Sequence, residues 1–411
     1  MRFQALIGAR IKHLRESKGI TQEQLAGQAR SDAATLSGIE TGKQNLSAET
    51  LGNFVAALNV TPKEFFRADE FGVKLTAELD DAECVNSERF SVEAVGDGVR
   101  VQFQSGRHDA SLNFRGLTRQ KVVEAVLMLR RGLRQADISP QVGDDPAGDS
   151  EEKPSSKRVL MSSAIAESFL SLVRGDPTVN PSDVWRYIIS PAFCDPRNHP
   201  GSSAKKNFEQ SFKRTGGWAF ERILVAHYTE FLAKHGVVLT KVGAKHLLQS
   251  MDLVGQVPLD KIDLFIAAQE GDSLVPLGVI HLKSSIAERR TDDVPASQRV
   301  MSKGYISLFV TLDSKDTPGL NPVNKGEYGR LLVYDEKNKN WKGSEKRKDI
   351  EVSGVFSAVF SFNVRTIESP AITPSSCRIA RANFANPEEG LSRLILETKG
   401  NLIRGKGKRR S

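Results

Sequence analysis

The first 66 residues contain five short segments in which apolar residues recur with helical spacing, separated by caps and turns. The first segment ends at Gly19, and Thr21 opens the second, TQEQLAGQA, with Gln24 placed to complete a capping box. The third segment, DAATLSGIETG, closes at Gly42, and the segments ETLGNFVAAL and TPKEFF follow it. So many helix starts and stops in so few residues predict a compact all-helical bundle from about residue 5 to residue 66.

The string TQEQLA…LSGIETGK in this bundle resembles the repressor-type helix-turn-helix family. The resemblance implies DNA binding, with the third helix in the major groove and with Gln22 and Lys43 on the phosphate side. The base-reading positions of that family fall at Ala33, Ala34 and Gly38. This is a departure from the family pattern, because alanine can contact a thymine methyl group but cannot make the bidentate bonds that read guanine or adenine.

Three polar residues beside the reading positions remain candidates for DNA contact: Asp32, Thr35 and Ser37. We therefore expect either modest sequence specificity from the bundle or specificity supplied from elsewhere in the chain. A helical bundle that serves only dimerisation is the structural alternative.

The rest of the chain divides by composition. Residues 88–115 alternate as strands do around a hairpin-turn signal at Gly96–Asp97–Gly98, and an amphipathic helix runs from Thr118 to about Arg134. Residues 135–158 are rich in Pro, Gly, Ser and acids, and they predict a linker. We expect this linker to let the small domain and the bundle move as one arm.

The fold class that follows is multidomain: an all-α helix-turn-helix bundle, a small α+β domain and a larger α/β domain with a mixed central sheet flanked by helices. The predicted boundaries are 1–68 for the bundle, 69–134 for the β-β-β-α domain, 135–158 for the linker, 159–398 for the α/β domain and 399–411 for a basic tail. The tail is either an arm that contacts phosphates or a solubilising end.

The charge and cysteine content favour an intracellular partner of negative charge. The formal net charge is +8, which suits a polyanion, although a plain basic surface gives the same number. Cys84, Cys194 and Cys377 lie far apart without metal-binding spacing, and they predict free thiols in a reducing cytosol. No signal-peptide pattern and no run of about 18 apolar residues occurs, so we expect a cytoplasmic protein without a membrane span.

In the larger domain, an acid and a lysine lie at the ends of two neighbouring predicted strands. The strands are Ile262–Ala267 and Val275–Leu282, joined by a turn, and they place Asp263 and Lys283 at one end of an antiparallel pair. A carboxylate there can bind a divalent cation, and a lysine can orient water or stabilise the charge on a phosphate under attack. The pair therefore predicts metal-dependent cleavage of a phosphodiester.

This arrangement is similar to the PD-(D/E)xK nuclease core, in which an acid stands two residues before the lysine. Asp263 and Lys283 match that core, but the intermediate position is His281. We expect His281 to be a packed or hydrogen-bonded strand residue rather than a catalytic base, because a metal-activated water needs no histidine.

The segments on either side of the strand pair extend the resemblance. SFKRTGGWAFERILVAHYTEFLAKHG predicts a long helix that starts at the two glycines and carries Glu221 on its first turn. KSSIAERR resembles the type II restriction endonucleases whose sites contain CCGG, in which the second metal-binding acid has moved onto a following helix. That relocation would explain His281, and the resemblance implies Glu221 as the first choice for the acid, then Asp293 and Asp292.

The same resemblance implies which residues read the DNA sequence. Arg289 and Arg290 would bind guanine O6 and N7, and Glu288 would accept from cytosine N4 or hold the arginines in place. Ala287 stands where the family has an earlier arginine. A solvated run of charges is the alternative interpretation of Glu288–Arg290.

Two functions follow from these observations. The first is a type II restriction endonuclease that uses Mg²⁺ to cut double-stranded DNA at a short palindromic site, as a homodimer, with the helix-turn-helix as an accessory or autoregulatory domain. The second is a non-catalytic transcriptional regulator whose large domain senses a ligand or dimerises. Motifs of other catalytic classes, such as GxSxG, HExxH and the phosphate-binding P-loop, do not occur.

Overall fold

The structure is a computed structural model, and it describes residues 2–44, 46–65, 90–105, 108–138, 156–199, 207–285, 290–314, 324–342 and 344–408. The chain forms two compact units, Met1–Glu83 and Cys84–Ser411. No helix in these ranges is both long enough and apolar enough to cross a membrane.

The described residues of the first unit form the predicted bundle of five helices. They are α1 (Arg2–Ser17), α2 (Gln22–Gln28), α3 (Ala33–Glu40), α4 (Ala48–Ala57) and α5 (Pro62–Phe65). The capping box between Thr21 and Gln24 is present, because each side chain bonds the backbone N–H of the other residue. The bundle has its own core around Ile11, Leu25 and Phe54, all of which are fully buried.

The second unit contains nine α-helices and eleven strands among its described residues. The helices are α6 (Arg119–Ile138), α7 (Ser156–Val173), α8 (Pro181–Val184), α9 (Ser190–Cys194), α10 (Phe208–Lys234), α11 (Ala244–Ser250), α12 (Arg290–Ser302), α13 (Glu345–Glu351) and α14 (Gly390–Lys408). A π-helical turn, Trp185–Ile189, joins α8 to α9, and short 3₁₀ turns occur at Pro196–Asn198 and Leu259–Lys261.

The strands form three sheets. They are β1 (Phe90–Val95), β2 (Gly98–Ser105), β3 (His108–Arg115), β4 (Val237–Thr240), β5 (Leu264–Glu270), β6 (Ser273–Lys283), β7 (Ile306–Thr311), β8 (Val333–Asp335), β9 (Asn340–Lys342), β10 (Ala358–Ser361) and β11 (Ile379–Arg381). The large sheet has the order β11-β10-β7-β6-β5-β4. Its β4, β5 and β6 are antiparallel neighbours, whereas β6, β7, β10 and β11 run parallel, so the predicted mixed sheet is confirmed.

Helices cover both faces of the large sheet. Side chains of β6 alternate between the faces: Ile280 and Leu282 join the core beneath α7 and α10, and Val279 joins the core beneath α11 and α12. This burial on both faces explains why β5, β6 and β7 are nearly continuous apolar runs in the sequence.

The small three-stranded sheet packs on the large domain, which differs from the expectation that it moves with the helix-turn-helix bundle. Phe103 of β2 stacks on Tyr187, with their ring centroids 4.8 Å apart. Gly132 of α6 lies so close to α7 that a Cβ there would be 2.3 Å from the Cβ of Ala164. One continuous apolar core therefore includes β1–β3, α6 and the large domain.

Several element boundaries differ from the sequence predictions. Helix α10 begins eight residues before Gly216, so Glu221 lies in its middle and not on its first turn. A Cβ at Gly216 would lie 3.0 Å from the Trp185 ring, so this glycine allows close packing and does not mark a helix start. The apolar run RLLVY at Arg330–Tyr334 favours a strand, but the strand that forms there, β8, is only three residues long and pairs with β9 in a separate sheet.

The predicted basic tail is also partly structured. Helix α14 extends to Lys408, and Lys399 donates to the carbonyls of His235 and Gly236 after the end of α10. Lys399 therefore caps the end of α10 at the carbonyl of His235, the C-cap residue.

Candidate active site

Asp263 lies just before β5, where the antiparallel pairing of β5 and β6 brings it level with the end of β6. Its backbone N–H donates to the Ile280 carbonyl at 3.2 Å, and its Oδ2 accepts from the Leu282 N–H at 2.6 Å. These bonds hold the carboxylate where β5 begins and β6 ends. The predicted antiparallel strand pair is confirmed, although β5 begins at Leu264, one residue after Asp263.

Lys283 ends β6 between two carboxylates. Its Nζ lies 3.6 Å from Asp263 Oδ2 and 3.0 Å from Asp293 Oδ2. Burial lowers the pKa of Lys283, but the two carboxylates outweigh burial, and the pKa is raised above its usual value. The lysine is therefore a fixed positive charge at the ends of the strands.

Asp293 reaches this position because α12 starts earlier than predicted. The sequence indicates a helix at about 295–303, whereas α12 begins at Arg290 and has Pro295 in its interior. Asp293 is thus on the first turn of a helix that packs beside β6 and β7, and it is 3% exposed. The structure does not describe the side chain of Asp292.

Glu221 and Lys241 form a second ion pair near Asp263. Glu221 Oε2 lies 2.8 Å from Lys241 Nζ, and Lys241 directly follows β4, whose partner strand β5 begins after Asp263. Burial raises the pKa of Glu221, the ammonium of Lys241 opposes this rise, and the negative charge of Asp263 adds to it. Glu221 and Asp263 therefore belong to one electrostatic neighbourhood.

His281 is buried beneath the site. It is fully buried, its Nε2 lies 3.1 Å from Ser307 Oγ, and its ring lies edge-on to Phe356. Burial lowers the pKa of His281, so the neutral imidazole is the favoured form. This environment agrees with the predicted packed strand histidine.

The donor set partly fits a hard divalent cation. Within the described ranges, no three His, Cys, Asp or Glu side chains converge closely enough to enclose a metal ion. The buried Asp293 Oδ2 lies close to the Lys283 ammonium, yet it forms no hydrogen bond of good geometry. Carboxylate oxygens of this kind suit Mg²⁺, which is usually held by one or two carboxylates together with water and substrate phosphates.

Most of the proposed base-reading segment lies outside the described residues. Glu288 and Arg289 are not described, and only the backbone of Arg290 is described, as the first residue of α12. Their assignment remains a prediction from the sequence.

In the helix-turn-helix unit, three of the predicted DNA contacts, Gln22, Asp32 and Thr35, have side-chain partners within the protein. Gln22 Nε2 donates to Glu40 Oε2 at 2.6 Å, and Glu40 also pairs with Arg15. Asp32 caps α3: its Oδ1 accepts from the Thr35 N–H and its Oδ2 from the Thr35 hydroxyl, both at 2.7 Å. Ser37 is partly exposed and Lys43 is exposed, so both remain accessible.

Sequence reasoning missed one charged residue of the site, Lys241. A lysine directly after a short strand is an ordinary feature, and its partner Glu221 stands 20 residues earlier on a helix. Only the pairing of β4 with β5 brings the two together with Asp263. Predicting Lys241 as a site residue would have required the strand order β4-β5-β6.

Comparisons with known proteins cover both units. Residues 6–65 match a family described as a helix-turn-helix domain. The chain is 37% identical over 237 residues to the type II restriction enzyme AgeI of Thalassovita gelatinovora, covering 55% of this chain and 80% of that enzyme.

Solved structures match both units as well. The crystal structure of the specific restriction endonuclease AgeI–DNA complex is similar with a TM-score of 0.58 and 28% identity, over 73% of this chain and 99% of that one. The restriction-modification controller protein C.AhdI from Aeromonas hydrophila matches with a TM-score of 0.16 and 32% identity, over 16% of this chain and 100% of that one.

Proposed function

Because the chain belongs to the family of the type II restriction enzyme AgeI, we propose that it makes Mg²⁺-dependent double-strand cuts at a short palindromic DNA site that contains CCGG. Membership of this family makes the chain a type II site-specific deoxyribonuclease and sets aside the alternative of a non-catalytic regulator. The identity of the metal, the DNA sequence that is cut and the roles of individual residues are our proposals.

The observation that carries the assignment of the site is the position of Lys283. An ammonium group with two carboxylates, Asp263 and Asp293, lies where β6 and β7 end and β5 begins. A third carboxylate, Glu221, interacts electrostatically with Asp263. A phosphodiester under attack gains negative charge, and a fixed lysine stabilises that charge without reorganisation. Its carboxylate partners hold the lysine in place before DNA binds.

Asp263 and Asp293 are the residues that would hold the metal, in keeping with the one or two carboxylates that Mg²⁺ usually takes from a protein. Glu221, which pairs with Lys241, is the alternative second acid. A bound Mg²⁺ supplies Lewis-acid activation of the phosphate group. The hydrogen bond from the Leu282 N–H and the burial of Asp293 fix the carboxylates before the ion arrives. This rigidity is what a precise phosphate site requires.

DNA recognition and assembly complete the proposal. Arg289 and Arg290 read guanines, with Glu288 beside them, and a homodimer matches the two-fold symmetry of a palindromic site. The bundle 1–68 binds DNA as an accessory or autoregulatory domain, with Gln22 of α2 and Lys43 after α3 on the phosphate side. The protein acts in the cytoplasm.

A cleavage assay tests the proposed reaction. Purified full-length protein is incubated with unmethylated phage DNA in Mg²⁺ and, separately, in EDTA. We expect discrete fragments in Mg²⁺ and intact DNA in EDTA, and ends that map to CCGG-containing sites. DNA that stays intact under every divalent metal would refute the proposal.

Asp263→Ala tests the site itself. This variant should bind the cognate duplex and fail to cut it, because the change removes a metal ligand and leaves the reading segment in place. Asp260→Ala, which changes an exposed acid in the preceding turn, is the matched control and should cut normally. Retained cutting by Asp263→Ala would remove Asp263 from the site.

Arg289→Ala tests the reading segment. Loss of one bidentate guanine contact should reduce discrimination at a single base pair by about 1–3 kcal/mol. Cleavage rates on duplexes with one substituted base pair give that number. An equal loss on all duplexes would mean that Arg289 contacts the backbone.

A further inference from the structure

The exposed face of α3 lacks hydrogen-bonding side chains at its reading positions. The side chain of Gln44, which follows the helix, lies over part of this face. Leu36, Ile39 and Glu40 of α3 are buried in the bundle, so Ala34 and Gly38 lie on the opposite, outward face. If Gly38 carried a Cβ, that atom would lie 2.7 Å from Gln44 Oε1 and 3.1 Å from Gln44 Cβ. The Gln44 side chain therefore fills the space that a side chain at position 38 would otherwise occupy.

The end of α3 explains how Gln44 reaches that space. Gly42 has a positive φ of 68°, and the N–H groups of Lys43 and Gln44 both donate to the Gly38 carbonyl, at 2.8 and 3.1 Å. This turn reverses the chain directly after the helix. It brings the exposed Gln44 back along the outward face.

From this geometry we infer that Gln44 is the specificity-determining residue of the helix-turn-helix unit and reads an adenine. The inference rests on the proposed DNA binding of this unit. The primary amide of Gln44 offers one donor and one acceptor, which are the groups needed for bidentate contact with adenine N6 and N7. The methyl group of Ala34, on the same face, suits contact with a thymine methyl.

The absence of a side chain at Gly38 is needed for the Gln44 amide to take this position. A side chain at position 38 would displace the amide, because no Cβ is tolerated 2.7 Å from the Gln44 oxygen. Gln44 is flexible and exposed, so Gly38→Ala should leave the fold intact and move only the amide. Two different substitutions, Gln44→Ala and Gly38→Ala, are therefore expected to cause the same loss of reading.

The experiment is a selection from a pool of duplexes with 20 randomised base pairs, in EDTA, using the full-length chain with Lys283→Ala to prevent cutting. This protein should enrich a CCGG-containing motif and a second, separate motif. Gln44→Ala and Gly38→Ala should each reduce the preference for adenine at one position of the second motif by about tenfold. The double variant should lose no more than either single variant.

Gly52→Ala is the matched control, because Gly52 lies on α4 with nothing near its Cβ position, and this variant should select the second motif unchanged. Thermal melting checks that all variants fold as the parent does. The inference is overturned if no second motif appears, if Gln44→Ala keeps the adenine preference, or if it weakens all sequences equally. Absence of the CCGG motif alone would count against the proposed cleavage site and not against Gln44.

Discussion

Several ionisable residues of this protein are buried, and Glu389 is the example with the clearest thermodynamic consequence. Tyr228, which is fully buried on α10, donates a hydrogen bond from its hydroxyl to Oε1 of Glu389, the residue that precedes α14. Burial raises the pKa of Glu389 to about 7, although the hydrogen bond from Tyr228 opposes the rise. The native state therefore holds a proton that the unfolded chain, with a glutamate pKa of about 4.3, releases earlier.

The sign of the pH dependence follows. Stability from the protonated Glu389 is fully present below about pH 4 and is lost as the pH rises through about 7. Glu389→Gln keeps the acceptor for Tyr228 and removes the titration, so the fall in unfolding free energy between pH 5 and pH 8 should shrink by about 1–3 kcal/mol. Urea unfolding at both pH values measures it.

Glu388→Gln is the control, because this neighbouring acid is exposed and its replacement should leave the pH dependence as it is. Equal pH dependence in the parent and in Glu389→Gln would contradict the buried proton.

The residues of the candidate active site differ in how far they could be predicted from the sequence. Asp263 and Lys283 were predictable, because a strand pair with a short turn fixes which ends meet. Asp293 was only a later choice for the relocated acid, since its contact with Lys283 depends on where α12 begins. Lys241 could not be predicted, because its pairing with Glu221 depends on which strand lies beside β5.

At the level of elements, β6 holds the large sheet together because it pairs antiparallel with β5 and parallel with β7. Pro276 interrupts this central strand without breaking it. The pairing with β7 begins only at Gly278, and the pairing with β5 shifts register between Ile266 and Ala267. Proline, which cannot donate a ladder hydrogen bond, thus stands at an irregular part of the strand, where such a residue is tolerated.

The pairing of β6 with β7 leaves no room for a side chain at Gly278. A Cβ there would lie 2.1 Å from the Ile306 carbonyl oxygen, and a backbone atom in a buried sheet cannot move aside. We expect Gly278→Ala to destabilise the fold by about 2 kcal/mol or more and to reduce cutting, because β6 carries Lys283.

Gly217→Ala is the matched control on α10, with nothing within 4 Å of its Cβ position, and it should be neutral or stabilising by up to about 1 kcal/mol. Thermal melting and cleavage rates of both variants decide the matter. A Gly278→Ala protein that is as stable as the parent would mean that the two strands separate easily.

The boundaries of helices were harder to predict than the existence of the elements. The sequence indicated every helix of the bundle, because caps such as Thr21 and Asp32 are local signals. The glycine pair in α10 gave a misleading signal, since Gly216 serves packing against Trp185 rather than a helix start. The order of β7, β10 and β11 depends on long-range pairing that no local pattern contains.

For the whole molecule, the continuous core sets which pieces of the chain can fold alone. The bundle has a core of its own, and the other unit begins at Cys84. The core of that second unit includes Phe90, Val101 and Leu129 from the small sheet and α6, together with Phe169 of α7. Composition alone suggested a separate small domain, because residues 135–158 contain almost no large apolar residues.

Two truncations test this division. A chain of residues 84–411 retains its whole core, so it should fold and cut the same DNA site as the full-length protein, without the second motif of the bundle. A chain of residues 156–411 would expose the face of α7 that meets α6, where Gly132 packs against Ala164. Because this change exposes a large apolar face to water, we expect the shorter chain to aggregate or to melt at a much lower temperature than the longer one.

Size-exclusion chromatography, thermal melting and mapped cleavage ends compare the two chains. If residues 156–411 alone fold and cut as well as residues 84–411, the small sheet is a dispensable addition. If residues 84–411 lose the cut site, the bundle contributes to recognition by the nuclease itself.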